Sequence, residues 1–318
     1  MIFYKTSSFG NDFIEIDQGE LASPQGRRPR GGLPAGASLG ALARQICDRQ
    51  RGVGADGVVY YRPQRRKTQF AVFNRDGGEA ELSGNGMAGL AAVLLQRRLG
   101  VSPLTLHAAI GSRQVELLGR DGSVFQLAVE IGIPDFANRE FFPFLKGTIG
   151  PATIDGLEFH PVSVGNPHAV VICREMPDGE QLASLGKKIE GHAMFPKRVN
   201  VEFVQFRGAD DPPQGTAASR PAGCRVYFYE RGVGPTLASS TGSAAVFAVL
   251  RRLGLVGDRL LIDLEPACAA EVPAVKEAGG HRAGHPAGAV GEQIALSWRD
   301  GIFIHNFTRL ICRGEYFL

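Results

Sequence analysis

Two stretches of this chain are similar enough to be copies of one structural device. From Ser83 the chain reads SGNGMAGLAAVLLQRRLG, and from Ser239 it reads SSTGSAAVFAVLRRLG. Apart from a two-residue gap, both have a small-residue opening, an alanine-rich apolar run and the ending RRLG. Each follows an apolar run typical of a strand, TQFAVF in the first copy and CRVYFY in the second. We therefore predict a strand, a glycine-rich turn and a helix in both places.

The spacing of the two copies predicts the domain organisation. They lie about half a chain apart, which indicates duplication of a whole domain rather than a short local repeat. The chain has 318 residues, enough for two domains with cores of their own. We expect an α/β (α+β) protein with one domain over residues 1–128 and a second over residues 129–304. The C-terminal tail, at about 305–318, is expected to complete the first domain.

The small residues at the two predicted helix starts favour binding of an anion. They leave the first backbone N–H groups uncovered, and the helix dipole favours negative charge at that end. Two such helix starts facing each other across a cleft could hold one anionic small molecule, with Ser83 and Ser239 on its two faces. That arrangement suits removal of a proton from one face and its return to the other. The alternative is that both serines are ordinary helix N-caps, and the matched pair favours the functional interpretation.

Composition excludes several classes of function. The net charge is only +3, and the basic clusters at 27–30 and 65–67 are short and contain no aromatic residues, so a nucleic-acid partner is not expected. No apolar run reaches membrane-spanning length, and the N-terminus does not resemble a signal peptide. The five cysteines are scattered and odd in number, which fits neither a disulfide framework nor a zinc site. We expect a cytoplasmic protein without a metal or organic cofactor.

Local patterns predict further elements along the chain. The opening MIFYKTSSFGNDFIEID predicts two strands joined by a turn centred on Gly10, Asn11 and Asp12. His168 falls in a predicted turn between two strands, where a lone histidine is more often solvated than catalytic. Cys47 is predicted to be a buried thiol on an amphipathic helix. Three stretches rich in Gly, Pro or Ala are predicted to be loop insertions, at residues 19–40, 208–223 and 266–291.

Seven short motifs carry a resemblance to a known family. In chain order they are FGNDFIEID, RGVGADG, FNRDG, GNG, VGNPH, RVNVEF and ERGVGPTLA. Together they resemble the diaminopimelate epimerase family over nearly the whole chain apart from the three insertions. The resemblance implies two pseudo-symmetric domains, each a β-sheet wrapped around a central helix, with the active site at the helix N-termini. It also implies a homodimer that interconverts LL- and meso-diaminopimelate without pyridoxal phosphate, by two-base proton transfer at the α-carbon.

The resemblance assigns roles to residues that match the family motifs. Substrate-binding asparagines, acting chiefly at the distal amino-acid end, are implied at Asn11, Asn74, Asn166 and Asn200. Backbone N–H groups for the reacting α-carboxylate are implied at Gly84, Asn85, Ser240 and Thr241. Arg231 can grip a carboxylate in two-pronged fashion and Glu230 can bind the ammonium. His168 and Glu230 occupy positions that tune the catalytic pair. The implied partner is an amino acid with two carboxylates.

The chain departs from the family pattern at the reacting positions. The family has a cysteine where Ser83 stands and another where Ser239 stands. A helix N-terminus can convert a thiol to a thiolate, whereas a serine hydroxyl is far less acidic and needs a neighbouring base. Gly57 replaces a glutamine, and Met87-Ala88 replaces a segment that usually ends in arginine. Proton abstraction by an unassisted serine should therefore be much slower than by a thiolate.

Three hypotheses about function follow. The chain is an epimerase of this family, whose serines are either activated by His168 or Glu230 or are engineered or natural substitutes with low activity. Alternatively, it is a different isomerase or a lyase on the same fold, with a carboxylate or histidine as its base. The third hypothesis is an inert homologue that binds an amino acid without turnover. Restoring cysteine at both positions discriminates among them, since a gain of epimerase activity requires a pocket that still fits the family substrate.

Overall fold

The structure is a computed structural model that describes residues 1–21, 38–64, 67–145, 149–206, 222–263 and 293–317. The chain divides into two compact units. Unit 1 comprises Met1–Glu130 and His305–Leu318, and unit 2 comprises Ile131–Ile304. Among the described residues no helix is long and apolar enough to cross a membrane.

Unit 1 is built from strands around one long helix. Its elements are β1 (Ile2–Ser8), β2 (Asn11–Asp17), α1 (Leu39–Cys47), β3 (Gly57–Arg62), β4 (Thr68–Asn74), β5 (Glu79–Ala80), α2 (Gly84–Gln96), β6 (Leu104–Ala108), β7 (Gly111–Asp121) and β8 (Val124–Gly132). A short 3₁₀ helix, Gln18–Glu20, follows β2. The pairings run β1–β2–β3–β4–β6–β7–β8, with β2–β3 and β4–β6 parallel and the others antiparallel.

Unit 2 repeats this order. Its elements are β9 (Ala152–Ile154), β10 (Leu157–Ser163), β11 (Pro167–Ile172), α3 (Gly179–Glu190), β12 (Asn200–Phe206), β13 (Ala222–Glu230), β14 (Gly234–Thr236), α4 (Ser240–Arg252), β15 (Arg259–Asp263) and β16 (Gln293–Trp298). The last strand, β17 (Ile302–Glu315), begins in unit 2 and then pairs antiparallel with β1 in unit 1. In both units one helix crosses between parallel strands before the long helix follows: β2–α1–β3 matches β11–α3–β12, and β4–α2–β6 matches β13–α4–β15.

The long helices are central because they lack a polar face. Helix α2 is buried from Gly84 through Leu94 and packs against β1, β2 and β3. Helix α4 is buried from Ser240 through Leu250 and packs against β10, β11 and β12. The other two helices are amphipathic and cover a further apolar cluster in each unit, with Leu42 and Ile46 from α1 and Leu182 and Ile189 from α3. The predicted fold class and the sheet around a central helix in each domain are confirmed.

Two sequence predictions about local structure were wrong. The turn after β1 lies at Phe9 and Gly10, whose φ values are 50° and 78°. Asn11 and Asp12 instead begin β2, because Ser8 pairs directly with Asn11 and leaves only two residues for the hairpin turn. His168 is neither in a turn nor solvated. It lies on β11, where it pairs with Val162 and is completely buried.

The predicted loop insertions fall almost entirely outside the described residues. In the first, residues 22–37 are outside, while 39–40 begin α1. In the second, 208–221 are outside and the last two residues belong to β13. The third, 266–291, is entirely outside. The prediction for Cys47 is confirmed, since it ends α1 and is 3% exposed.

Candidate active site

Both serines of the repeat are helix N-caps. Ser83 precedes α2 in extended conformation, and its Oγ accepts a hydrogen bond of 3.1 Å from the Gly86 N–H. Ser239 precedes α4 in the same way, with 3.2 Å to the Gly242 N–H. Neither helix has an acidic residue in its first turn, so no side chain there opposes the binding of an anion. The N-cap interpretation therefore holds for both serines, and each hydroxyl keeps its own proton to donate.

An asparagine ties each helix start to a neighbouring strand. In unit 1 the Asn85 Nδ2 donates to Asn11 Oδ1 at 3.1 Å. In unit 2 the Asn166 Nδ2 donates to Thr241 Oγ1 at 3.3 Å. Asn85 and Thr241 each stand two residues after the capping serine. The two helix starts are thus held by equivalent side-chain contacts, one within each unit.

Strand register identifies further equivalent positions. Phe13 pairs with Gly57 in the parallel β2–β3 ladder, and His168 pairs with Asn200 in the parallel β11–β12 ladder. Phe13 therefore stands where unit 2 has His168, and Gly57 stands where it has Asn200. Two residues further along β3, Val59 corresponds to Glu202.

The equivalence extends to packing against the long helices. Val59 approaches Gly86 of α2, and Glu202 approaches Gly242 of α4. A Cβ at Gly242 would lie 2.8 Å from Glu202 Oε1, so the glycine lets the carboxylate lie against the helix.

His168 and Glu202 form a buried polar pair in unit 2. His168 Nδ1 lies 2.7 Å from Glu202 Oε1, and the two side chains are 0% and 1% exposed. The other ring nitrogen, Nε2, lies 2.9 Å from Asn166 Oδ1, which can only accept. Nε2 therefore donates to Asn166, and Nδ1 faces the Glu202 carboxyl group. Both ring nitrogens are thus occupied by Glu202 and Asn166, and Asn166 in turn contacts Thr241 at the start of α4.

Unit 1 has no ionisable residue at the corresponding positions. Phe13 and Val59 replace the buried pair, and Asn74 lies at the register position of Glu230, opposite Gly57. Glu230 accepts a 2.6 Å hydrogen bond from Thr236 Oγ1. The two half-sites are thus alike in backbone and unlike in chemistry. At these matched positions only unit 2 carries titratable groups.

The loop after β13 is held by buried polar side chains. Asn200 Oδ1 accepts from the Arg231 N–H at 2.9 Å, and its Nδ2 donates to the Pro167 carbonyl at 2.9 Å. Glu190, 2% exposed, accepts from the Gly232 N–H at 3.0 Å. Arg231 also donates to the Lys197 carbonyl at 3.1 Å. Asn200, predicted to bind substrate, is bonded at both ends of its amide inside unit 2 and fixes the Glu230-Arg231 loop.

Asn11 is anchored by a charged cluster. Its Nδ2 donates to Asp56 Oδ2 at 2.9 Å, and Arg49 forms ion pairs with both Asp56 and Asp12. Burial acts to raise the pKa of Asp12, but hydrogen bonds from Arg49 and Lys5 outweigh it and lower that pKa. Asp12 therefore stays ionised and keeps Arg49 in place.

The positions that depart from the family pattern are tightly packed. A Cβ at Gly57 would lie 2.7 Å from the Phe13 ring and 2.8 Å from the Phe73 carbonyl oxygen. The Phe13 ring therefore fills the space next to Gly57. Met87 and Ala88 are completely buried on α2. Among the described residues no cluster of His, Cys, Asp or Glu has the arrangement of a metal site.

Sequence reasoning missed several buried polar residues. Glu15 and Glu202 lie within apolar strands and are 0% and 1% exposed. Asp56 and Asn306 hold Asn11 and Asn85 by hydrogen bonds. The available signal was a single charged residue inside an apolar strand, as in FIEID and NVEFV. Strand alternation assigns such residues to solvent. However, β12 is packed by α3 and α4, and β2 packs against α2 and also contributes to the apolar cluster that contains α1.

The fold resembles that of solved structures built from two α/β units. It resembles a hydroxyproline epimerase from Agrobacterium vitis, solved with bound trans-4-hydroxy-L-proline, with a TM-score of 0.58 and 16% identity, covering 99% of this chain and 91% of that one. It also resembles methylitaconate-delta-isomerase, with a TM-score of 0.56 and 14% identity, covering 99% and 95% of the two chains. At these identities the likeness concerns the fold alone.

Sequence comparison then defines the family. The diaminopimelate epimerase family model matches residues 3–136 and 161–266, and the chain belongs to this family. A diaminopimelate epimerase from Methanothermobacter thermautotrophicus is 30% identical over 279 residues, 83% of this chain and 87% of that protein. One from a Synechococcus species is 34% identical over 259 residues, 77% of this chain and 80% of that protein. The resemblance inferred from the seven motifs is confirmed.

Proposed function

We propose that this protein interconverts LL- and meso-diaminopimelate by proton transfer at the α-carbon, without pyridoxal phosphate, in the supply of lysine and peptidoglycan precursors. One observation carries the proposal. Each unit contains a long buried helix that starts at a capping serine, with no acid in its first turn and an asparagine contact that holds the start in place. Such a start is suited to a carboxylate. The substrate has two carboxylates and two ammonium groups.

The backbone N–H groups at the helix starts would bind the reacting carboxylate. These groups belong to Gly84 and Asn85 in α2 and to Ser240 and Thr241 in α4. Arg231 and Glu230 follow as charged partners for a second carboxylate and an ammonium. The Glu190 and Asn200 contacts support this role because they fix the loop that carries both residues.

The asparagines are assigned two kinds of role. Asn11 and Asn74 are proposed to contact substrate from unit 1. Asn166 and Asn200 lie in hydrogen bonds inside unit 2, and Asn166 links His168 to Thr241. We assign to Asn166, Asn200 and His168 the positioning of the α4 start and of the Glu230-Arg231 loop.

The proton-transfer groups in this proposal are Ser83 and Ser239. Each Oγ accepts a backbone N–H at a helix start, and both this bond and the dipole favour negative charge on the oxygen. A hydroxyl is nevertheless a much weaker acid than a thiol, and every 1.36 kcal/mol added to the barrier slows the reaction about tenfold. We therefore propose slow epimerisation, in which one serine first loses its hydroxyl proton to solvent water. The resulting alkoxide takes the α-proton, and the other serine hydroxyl donates a proton to the carbanion.

The test combines binding with stereochemical conversion. LL-diaminopimelate is added to the purified protein, its unfolding midpoint is measured, and meso product is followed by chiral separation. We expect stabilisation by the ligand and slow appearance of meso product. Ser83→Ala and Ser239→Ala should each abolish conversion and lower stability by about 1 kcal/mol through loss of the N-cap. Ligand binding without conversion in the wild type and in the Ser83→Cys, Ser239→Cys double variant would instead support an inert binding protein.

The difference between the half-sites favours one second candidate. Ionisable groups gather in unit 2, at His168, Glu202 and Glu230, whereas the matching positions of unit 1 hold Phe13, Val59 and Asn74. One-base chemistry, such as isomerisation of an unsaturated acid or elimination from a 3-hydroxy acid, needs titratable groups on one side only. A panel of such acids, assayed for product, separates this candidate from the epimerase.

The proposal includes a cytoplasmic location and a homodimer. The location is supported by the odd number and wide scatter of the cysteines. The dimer follows from the family resemblance, and sedimentation of the purified protein tests it.

A further inference from the structure

A directional chain of side-chain hydrogen bonds runs through unit 1, passes through Asn11 and ends at Asp56. Asn306 Nδ2, on β17, donates to Asn85 Oδ1 at 3.0 Å, and Asn85 Nδ2 donates to Asn11 Oδ1 at 3.1 Å. Asn11 Nδ2 then donates to Asp56 Oδ2 at 2.9 Å. Behind Asn306, its Oδ1 accepts from Thr308 Oγ1 at 3.0 Å.

The direction of this chain is fixed at the end formed by Asp56. Its carboxylate is paired with Arg49 and also accepts the Asp12 N–H, so it can only accept from Asn11. Asn11 must then turn its oxygen towards Asn85, and Asn85 in turn must present its oxygen to Asn306. A reversed amide at any one link would bring two acceptors or two donors together.

The interior of unit 1 enforces these hydrogen bonds. Asn85 is 4% exposed, Asn306 is 1% exposed and Thr308 is 0% exposed. A buried amide that loses its partner costs about 1–3 kcal/mol, so the hydrogen bonds of Asn85 and Asn306 cannot be exchanged for contacts with water. Ser8, 2% exposed, completes it with a 2.8 Å bond to Thr308 Oγ1.

We propose that Asn306 is a positioning residue for the unit 1 half-site, setting the amide orientations of Asn85 and Asn11 through this chain. Asn306 lies 221 residues from Asn85 in the sequence, in the tail that returns to unit 1. The tail thereby contributes to the candidate site and does not only complete the sheet. The part of this inference that concerns substrate rests on the proposed function, whereas the amide orientations do not.

The experiment compares variants at both ends of the chain by NMR with selective ¹⁵N-asparagine labelling. Asn306→Asp is nearly isosteric but removes the donor to Asn85. We expect it to shift the side-chain amide signals of Asn85 and also of Asn11, two links away. Thr308→Ser keeps the hydroxyl and is the matched control, so both signals should stay in place. An unchanged Asn11 signal in the folded Asn306→Asp variant would overturn the proposal.

A second variant tests the same hydrogen bonds from the Asp56 end. Asp56→Asn removes the carboxylate that sets the direction, and it should shift the Asn85 signal across Asn11. If Asn306→Asp does not fold, the Asn85 shift in Asp56→Asn tests the proposal by itself. An unchanged Asn85 signal would show that the amide orientations are not coupled through these hydrogen bonds.

Binding of LL-diaminopimelate provides the readout for the half-site. Loss of one oriented hydrogen bond predicts about tenfold weaker binding to Asn306→Asp. Thr308→Ser should bind within about twofold of the wild type. If Asn306→Asp shifts the amide signals of Asn85 and Asn11 but binds LL-diaminopimelate as tightly as the wild type, Asn306 has no role in binding. Absence of binding by the wild type itself would contradict the proposed function. The NMR shifts would still show whether the hydrogen bonds set the amide orientations of Asn85 and Asn11.

Discussion

His168 Nδ1 and Glu202 Oε1 lie 2.7 Å apart in the interior of unit 2, and their counterparts in unit 1 are Phe13 and Val59. The same backbone positions thus accommodate a polar pair in one unit and an apolar pair in the other. The polar pair leads through Asn166 to Thr241 at the start of α4. We therefore propose that the pair positions that helix start in addition to stabilising unit 2.

The comparison between units predicts how this pair responds to substitution. Glu202→Val leaves the buried His168 ring without its Nδ1 partner, and His168→Phe leaves Glu202 unpaired. Each should lower the free energy of unfolding by about 3 kcal/mol. The Glu202→Val, His168→Phe double variant has the residue types of unit 1 at these positions. Its loss in free energy of unfolding should be clearly smaller than the sum of the two single losses. Urea unfolding of the four proteins measures the coupling, and strict additivity would show that the pair is not an energetic unit.

Glu15 predicts a pH dependence of stability. Burial raises its pKa well above the ordinary value of 4.5, although a hydrogen bond from Thr6 acts in the opposite direction. The folded state thus holds this proton to higher pH than the unfolded chain. The resulting contribution to stability is full below about pH 4.5 and is lost as the pH rises through the folded-state pKa.

Glu15→Gln removes that titration. The variant should therefore gain stability relative to the wild type as the pH rises above about 4.5, measured by urea unfolding at a series of pH values. Glu79, exposed on β5, offers the matched control Glu79→Gln, which should track the wild type. Parallel pH profiles for Glu15→Gln and the wild type would show that Glu15 has no raised pKa.

The cysteines should differ in reactivity. Burial raises the pKa of the Cys47 thiol to about 12, whereas Cys312 is exposed on β17. Because the thiolate is the reactive form, Cys312 should be alkylated at neutral pH while Cys47 reacts only after unfolding. Mass spectrometry of each cysteine peptide measures the two rates separately. Equal rates in the native protein would contradict the burial of Cys47.

Gly57 should not tolerate a side chain. Its Cβ would meet the Phe73 carbonyl, which is fixed in the β3–β4 ladder, as well as the Phe13 ring. Gly57→Ala should therefore cost about 1–3 kcal/mol of stability. Gly179 has no atom within 4 Å of its Cβ position, so Gly179→Ala is the control and should be close to neutral. Thermal unfolding of both variants tests this. Unchanged stability of Gly57→Ala would show that the Phe13 ring moves aside at little cost.

The sequence predicts the repeated device well because its signals are local and duplicated. Small residues after Ser83 and Ser239, with apolar strands before them, are sufficient to predict the two helices and their caps. The interior hydrogen bonds could not be predicted in this way. Glu202 meets His168 across 34 residues and Asn306 meets Asn85 across 221, and no local pattern encodes such pairings. His168 was misplaced for the same reason, since its burial depends on distant strands.

The most direct test follows the α-proton itself. LL-diaminopimelate is incubated in deuterated water with the wild type, with the Ser83→Cys, Ser239→Cys double variant, and with the Ser83→Ala, Ser239→Ala double variant. Proton NMR then measures loss of the α-signal. We predict slow labelling by the wild type, faster labelling by the cysteine variant and none by the alanine variant. No label from either the wild type or the cysteine variant, or equal labelling by the alanine variant, would contradict proton transfer at these two helix starts.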